Sequence, residues 1–247
     1  MSMRVPPKLL CGLLSFAIGS VAADLAVGVR AYDSREFAKA VSELMPLAQN
    51  GDATAQYYIG SMSFFGQGLP RDYGAGIKWY TAAAEQGHTH AAAMLGLLYN
   101  YGPNVPWHSE VPTDLVAAVK WLRLAVKADD PSGESTLATL YRNGRGVPKD
   151  LEEAARLYRL AAEQGDSDSQ ASLGFLYGSG DGVIKDYVQA HLWLNLCAAH
   201  SSSPASTSAA PCRDGREALE AMMSPAQIAE AQSLARNWKP RKQQAAR

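Results

Sequence analysis

The sequence predicts an all-α solenoid, because one motif of about 36 residues recurs along it. Gly60 and Gly96 are 36 residues apart, as are Ala138 and Gly174, and the middle step is 42 because six residues are inserted around 103–112. Self-similarity at this length is the signature of a solenoid. Ala and Leu are plentiful and β-branched runs are scarce, which favours helices. Solenoids build long surfaces that hold other molecules, so the pattern favours binding over catalysis.

The first 23 residues are typical of a secretory signal peptide. Arg4 and Lys8 precede a mostly apolar run over 9–21, and small residues end at Ala23. A charged start, an apolar stretch and a small-residue site together direct export and cleavage. The apolar run is short for a membrane span, although an uncleaved anchor is the alternative. We therefore expect a periplasmic or secreted protein, cleaved near Ala23.

Charge and composition argue against several kinds of partner. The chain carries 23 Lys and Arg against 24 Asp and Glu, a formal net charge of −1. Since no basic stripe is present, we expect no nucleic-acid partner. We also expect no transmembrane segment in the mature chain. The expected partner is another protein or an extended peptide, and the sequence leaves the oligomeric state open.

Two cysteines remain after removal of the leader. Cys197 and Cys212 are 15 residues apart and flank a Ser- and Pro-rich stretch. In an oxidising compartment an even pair favours a disulfide. Closing a loop of about 15 residues would stabilise the fold by roughly 3 kcal/mol in the chain-entropy model. The alternative is one buried and one exposed thiol.

Each repeat is predicted to hold two helices, helix A and then helix B. Gly60 lies in the middle of the first helix A, where Gly costs about 1 kcal/mol relative to Ala. Because Gly recurs at Gly96 and Gly174, and small Ala138 replaces it once, we expect helix B to approach closely at this position. The first Gly of each following Gly-x-Gly pair is expected to end helix A in the left-handed conformation.

Helix B is predicted to begin after a capping aspartate, which accepts from the free amides of the first turn. These capping residues are Asp72, Asp114, Asp150 and Asp186. In the third copy Glu153 is expected to complete a capping box with Asp150. Large aromatic residues of helix B are expected to anchor neighbouring repeats; they are Trp79, Tyr80, Trp121, Tyr158 and Trp193.

The remaining segments are assigned around the repeats. The leader covers 1–23 and the four repeats cover 52–200. A less regular half-unit resembling a tetratricopeptide pair covers 24–51, and a Ser- and Pro-rich loop covers 201–212. Two capping helices are expected over 213–238, followed by a basic tail over 239–247. Terminal caps with a polar outer face are what a solenoid needs for solubility.

The repeated string is Leu-Gly-x-x-Tyr-x-x-Gly-x-Gly-Val-x-x-Asp, then Ala, Trp-Tyr and Ala-Ala-x-x-Gly. It resembles Sel1-like repeats, which are relatives of tetratricopeptide repeats. The likeness covers Gly51 to His200, although the second copy carries the insertion and the third lacks the Trp. The resemblance implies a right-handed superhelix of antiparallel helix pairs. It also implies binding of proteins or peptides, often in the bacterial envelope.

In such superhelices the A helices line the concave face, so the resemblance assigns the partner contacts to them. Residues one turn either side of the recurrent glycine are the candidates. They are Tyr57, Ser61, Phe64, His90, Leu97, Asn100, Tyr101, Arg142, Asn143 and Phe175. Aromatic, Asn, Arg and His side chains together suit an extended peptide. The alternative is that half of them are ordinary packing or plain surface.

The inserted loop offers one further contact. Trp107 lies among several prolines, and an exposed Trp there would be a plausible binding hot spot. The alternative, which we weigh equally, is that Trp107 folds back onto the preceding helix.

No arrangement in the sequence predicts catalysis. His88 and His90 have the wrong spacing for two metal ligands on one helical face. No Gly-x-Ser-x-Gly motif is present, so a nucleophile elbow is not predicted. The Gly-x-Gly pairs follow helices rather than strands, so they are not predicted to bind the phosphates of a nucleotide. We therefore expect no catalytic residue, no cofactor and no metal. The sequence predicts a non-catalytic protein- or peptide-binding scaffold of the bacterial cell envelope; the alternative is a cell-wall-binding protein or an envelope hydrolase.

Overall fold

The computed structural model describes residues 25–102, 112–200 and 209–241. Within these ranges the chain folds into helices and contains no strand, which confirms the all-α class. The predicted leader and Trp107 lie outside the described residues. None of the helices in the described ranges is long and apolar enough to cross a bilayer.

The helices are numbered in chain order. The described part of α1 covers 25–33. It is followed by α2 (Phe37–Gln49), α3 (Ala53–Phe65), α4 (Tyr73–Glu85), α5 (Thr89–Tyr101), α6 (Leu115–Lys127), α7 (Pro131–Asn143), α8 (Leu151–Glu163), α9 (Ser167–Ser179), α10 (Tyr187–His200), α11 (Ala209–Glu220) and α12 (Pro225–Asn237). In the repeats α3, α5, α7 and α9 are the A helices, and α4, α6, α8 and α10 are the B helices.

The described residues form two compact units whose boundary falls inside α5. In the first unit, α3 packs against both α2 and α4. Leu44, Ile59 and Met62 are fully buried there. In the second unit each helix from α6 to α10 packs against the next, and α11 and α12 cover α10. Leu122, Leu140 and Leu157 are among its fully buried residues.

The recurrent glycine of helix A lies where helix B approaches most closely, as predicted. A Cβ at Gly60 would lie 3.0 Å from the Tyr80 ring, and one at Gly174 would lie 2.8 Å from Leu194 Cγ. At Gly96 the corresponding distance to Leu122 is 2.5 Å. A side chain would force the two helices apart, so the helix-propensity cost of glycine is offset by packing.

The Gly-x-Gly turns have two functions, of which the sequence predicted one. The first glycine ends helix A with a positive φ, for example 83° at Gly180. The second glycine lies against the first residue of an earlier helix. A Cβ at Gly146 would be 2.7 Å from Leu115 Cβ, and a Cβ at Gly182 would collide with the carbonyl of Leu151. The second glycine is therefore a packing requirement between successive repeats.

The predicted caps of the B helices are all present. Asp72 accepts from Ala75 N and Asp114 accepts from Val116 N and Ala117 N; the same pattern holds at Asp150 and Asp186. The predicted capping box at Glu153 is wrong. Its carboxylate instead accepts two 2.7 Å hydrogen bonds from Arg156, while the Asp150 amide donates to Tyr141 O.

The turn from one helix B into the next helix A is called a joint below. Each joint supplies an N-cap that the sequence analysis did not predict. Asp52, Asp130 and Asp166 accept from the first turns of α3, α7 and α9. In the joint before α5, His88 takes this place, and its Nδ1 accepts from Ala91 N at 3.3 Å. The N-terminus of helix A therefore needs an acceptor, and an aspartate is used in three of these four joints.

The disulfide prediction is confirmed. Cys197 and Cys212 are bonded, with 2.05 Å between the sulfurs, and both are fully buried. The bond joins α10 to α11 in a small core that includes Leu219, Met223 and Ala231.

Two helices follow the Ser-rich stretch, and Ser224 and Gln227 form a complete capping box at the start of α12.

Candidate protein-binding groove

Three of the ten residues predicted to face outward are buried. Ser61, Phe64 and Asn100 are 5%, 1% and 3% exposed, so the prediction is wrong for them. Ser61 Oγ is hydrogen-bonded to Tyr32 Oη at 2.8 Å, and the Phe64 ring contacts Tyr73 edge-on at 4.9 Å. Helix A packs on neighbours along more than one face, so the positions on both sides of the glycine are not all exposed.

In the first unit, Tyr57 and His90 lie beside each other. Tyr57 is half-buried and its ring stacks on His88 with 4.7 Å between centroids. His90 is exposed and its ring lies 6.3 Å from Tyr57. Burial, and then the nearby His90, lower the pKa of His88 below its ordinary value. Because neutral His88 accepts a backbone hydrogen bond through Nδ1, its place in this group is structural.

In the second unit, Leu97 is half-buried, and Tyr101 and Asn143 are exposed. Arg142 and Phe175 line one groove, although they come from different repeats. The groove has a volume of about 460 Å³ and lies between α9, α10 and α11, with Arg142 contributed by α7. The structure therefore brings together two predicted contact residues that are 33 positions apart in the sequence.

Glycines leave room for the groove. Gly174 and Gly178 of α9 and Gly215 of α11 all line it. A Cβ at Gly215 would lie 2.8 Å from the ring of Phe175, so the ring packs directly on the backbone of α11. Phe175 is nevertheless 46% exposed, and its remaining surface faces the open side. The sequence analysis missed Gly215, because it lies outside the repeats that were aligned.

The groove combines an apolar floor with a few polar groups. Leu176, Leu194 and Leu219 supply apolar surface. The Arg142 guanidinium lies 5.7 Å from the centroid of the Tyr158 ring, which restricts its direction. Asp181 accepts a 2.8 Å hydrogen bond from Ser179 Oγ. An apolar concavity with convergent polar groups is the general form of a ligand-binding site.

The sequence analysis also did not identify a buried acidic side chain, Glu134. Glu134 of α7 is fully buried, and its Oε2 accepts from Gln164 Nε2 at 2.9 Å. Burial raises the pKa of Glu134 to about 7, although Arg241 opposes the shift. In the other three repeats this position holds Gln56, Ala92 and Gln170, and comparing these positions would have identified Glu134 as the one acid among them. Full burial leaves Glu134 out of reach of a substrate in this conformation.

No metal centre accompanies these groups. Within the described ranges no three side chains of the His, Cys, Asp and Glu types are arranged to hold a metal ion. The polar groups of the groove are instead suited to hydrogen bonds and ion pairs.

Comparison with known proteins agrees with this architecture. The family model described as Sel1 repeat matches residues 53–88, 89–130, 135–166 and 167–201, more than half of the chain. A Sel1 repeat protein from Oxalobacter formigenes is 27% identical, with a TM-score of 0.66 over 85% of this chain and 84% of that one. These matches confirm the solenoid class.

Two further likenesses cover less of the matched protein. An Escherichia coli protective antigen, c5321, described as having an SLR fold, is 23% identical with a TM-score of 0.56; the match covers 91% of this chain and 54% of the antigen. A component of an ERAD-associated E3 ubiquitin-protein ligase of Arabidopsis thaliana, HRD3B, is 32% identical over 103 residues. That segment is 41% of this chain and 15% of the plant protein.

Proposed function

The chain belongs to the Sel1 repeat family, and on this premise we propose that it is a non-catalytic scaffold of the bacterial cell envelope that holds an extended peptide segment of a partner protein. Sel1 repeat proteins act as protein–protein interaction scaffolds. The proposed binding surface is the A-helix side of the second unit, centred on the groove of Arg142 and Phe175. The plant relative is a component of a protein assembly, which agrees with such a role.

The observation that supports this site best is the half-exposed ring of Phe175 beside three glycines of the groove lining. A peptide side chain entering beside Phe175 would bury apolar surface at Gly174, Gly178 and Gly215. Arg142 would then be positioned to pair with a carboxylate or a backbone carbonyl of the peptide. Shape and charge together favour a short segment with one apolar and one acidic or carbonyl contact.

The envelope location rests on two supports. The predicted leader at 1–23 directs export, and the buried Cys197–Cys212 disulfide is typical of an oxidising compartment. Cell fractionation of an epitope-tagged chain, with sequencing of the mature N-terminus, tests the location. We expect the tagged chain in the envelope fraction beginning near Asp24. Recovery from the cytoplasm with an intact N-terminus would contradict it.

A pull-down with groove variants tests the binding site. Envelope extract is incubated with the wild-type mature chain or with Phe175→Ala combined with Arg142→Ala. We expect the double variant to remain folded with a modestly lower melting temperature, because the half-buried ring of Phe175 is lost. At a temperature where both chains are folded, it should capture at least about tenfold less partner, because central aromatic and Arg contacts dominate interface energy. Val116→Ala is the matched control, since Val116 is 77% exposed and lies outside the groove lining.

Two outcomes would overturn the proposal. Equal capture by the double variant and the wild type would exclude the groove as the binding surface. Release of peptide or glycan fragments from cell-wall material by the purified chain would contradict the non-catalytic assignment and support the hydrolase alternative.

A further inference from the structure

The joint before α7 differs from the other joints at two positions, and both changes introduce an acid. The residue corresponding to Asp129 is Gly87 before α5 and Gly165 before α9. Asp129 keeps the positive φ of those glycines, 55°, which L side chains rarely adopt. Glu134 stands where Gln56 and Gln170 stand. Aspartate tolerates a positive φ better than most residues, so the Asp129 side chain is accommodated at a position that the equivalent repeats leave to glycine.

The two acids face a guanidinium from the C-terminal segment. Arg241 donates to Asp129 Oδ1 at 3.0 Å across 112 positions of sequence. Its other nitrogen lies 4.0 Å from Glu163 Oε2, and its charge also acts on Glu134. Two carboxylates therefore lie within 4.0 Å of one arginine, and the buried Glu134 interacts with it electrostatically. We call the surface of Asp129, Glu163 and Trp193 the acidic cleft.

An aromatic contact lies beside the ion pairs. Trp238 contacts Trp193 edge-on with 6.4 Å between ring centroids. Trp193 is 6% exposed and lines an open space of about 370 Å³ together with Glu163, Trp238, Lys239 and Arg241. The cleft thus recognises an aromatic ring and a guanidinium that lie three positions apart in the chain.

One buried polar atom of the cleft lacks a partner. Trp193 Nε1 makes no hydrogen bond with the described residues, although the side chain is more than nine-tenths buried. Buried polar atoms are nearly always paired in native proteins. Trp193 lines the open space, so this donor is available to a segment seated there more deeply than residues 238–241.

The C-terminal segment combines an exposed ion pair with a half-buried aromatic contact. Asp129 is 69% exposed and Arg241 is 34% exposed, so their ion pair is screened by water. Trp238 follows the end of α12 at Asn237, is half-buried and packs against the core of the second unit. A competitor that offers the same two groups would make both contacts in place of this segment.

We propose that the acidic cleft is a second docking site, which takes a segment of another polypeptide carrying an aromatic residue and an arginine three positions apart. Residues 238–241 occupy this site in the free chain and compete with that segment. The proposal does not depend on the groove of Arg142 and Phe175, because no residue is shared between the two sites.

The test uses the full chain and a labelled peptide with the sequence of residues 235–241. Trp238→Ala combined with Arg241→Ala vacates the site. We expect this variant to bind the peptide at least about tenfold more tightly in fluorescence anisotropy than the wild type does, because the internal competitor is gone. Leu234→Ala with Arg236→Ala is the matched control: it removes one exposed apolar residue and one exposed arginine of α12, and should behave as wild type.

A second pair of substitutions identifies the cleft as the binding surface. In the vacated chain, Asp129→Gly with Glu134→Gln gives this joint the residues of the joint before α9, Gly165 and Gln170, and removes two of the charges that act on Arg241. We expect the fold to be kept, as measured by helicity and melting, and peptide binding to fall at least about tenfold. The proposal is overturned if the folded, vacated chain does not bind the peptide, or binds it equally after these two substitutions. Should the vacated variant fail to fold, Arg241→Gln alone takes its place. It must bind the peptide more tightly than the wild type, and that binding must fall after Asp129→Gly with Glu134→Gln.

Discussion

The joint that leads into α3 and the joint that leads into α7 have the same backbone course and different chemistry. Both are capped by an aspartate, Asp52 or Asp130. In both, a glutamine amide donates to the side chain four residues further on from the cap, Gln56 or Glu134. The first joint is neutral at that position, whereas the second is acidic and contacts the C-terminal segment. The capping aspartate is common to the two joints. The position four residues after it differs, so that position can acquire a binding role without loss of the cap.

The largest loss of stability is expected from a substitution in the Gly-x-Gly turns that the repeats share. Gly182→Ala places a Cβ against the carbonyl of Leu151, and backbone there cannot move away cheaply. The left-handed conformation and the overpacking together should lower the free energy of unfolding by roughly 2–5 kcal/mol. Thermal and urea denaturation measure the loss.

Gly180→Ala is the matched control for that substitution. It has a similar positive φ, but the nearest atom to its Cβ would be Lys185 Cβ at 3.2 Å, and the backbone of Lys185 would lie at ordinary contact distances of 3.6 and 3.7 Å. We therefore expect a loss of about 1–2 kcal/mol, close to the conformational cost alone. Equal losses in the two variants would show that the second glycine of the pair is not a packing requirement.

Glu134→Gln converts the acidic joint toward the neutral one. Burial raises the pKa of Glu134 to about 7, above its ordinary value in the unfolded chain. The wild-type fold is therefore favoured by the protonated acid, and this contribution is lost as pH rises from about 4.5 through about 7. The variant should lack that loss, which is about 1–3 kcal/mol because one pKa unit corresponds to about 1.4 kcal/mol. Parallel pH profiles of wild type and variant would contradict the assignment.

A smaller effect is expected at the one joint capped by histidine. Burial lowers the pKa of His88, so its cap contributes fully above the ordinary histidine range and is lost as pH falls through the lowered value. His88→Asp should restore the cap of the other joints and remove this acid sensitivity. His88→Ala should cost about 1 kcal/mol at neutral pH. Urea denaturation at several pH values measures both, and an unchanged His88→Ala variant would exclude the cap.

Much of the framework was predictable, because it depends on local rules. The B-helix caps, the left-handed glycines and the close approach at Gly60 all follow from residue types at fixed spacing. The A-helix caps follow the same rule, and were missed because their aspartates do not come after a Gly-x-Gly turn as the B-helix caps do. Glu153 was mispredicted because Arg156, one turn further on, takes its carboxylate.

The candidate sites were harder to predict, since they depend on which face of helix A each neighbour covers. Ser61, Phe64 and Asn100 satisfy the same spacing rule as Phe175, yet only Phe175 is exposed. The acidic cleft joins residues 112 positions apart, and no repeat pattern relates Arg241 to Asp129. A comparison of equivalent joints would have identified the unusual acids, although not their partner.

Site-specific photocrosslinking in living cells tests the scaffold role most directly. A photoreactive amino acid replaces Phe175 in the groove, or Val116 outside it, in the full chain. We predict a discrete crosslinked protein at position 175, identified by mass spectrometry, and none at position 116. The same crosslinks from both positions, or no crosslinked protein at position 175, would contradict a partner bound in the groove.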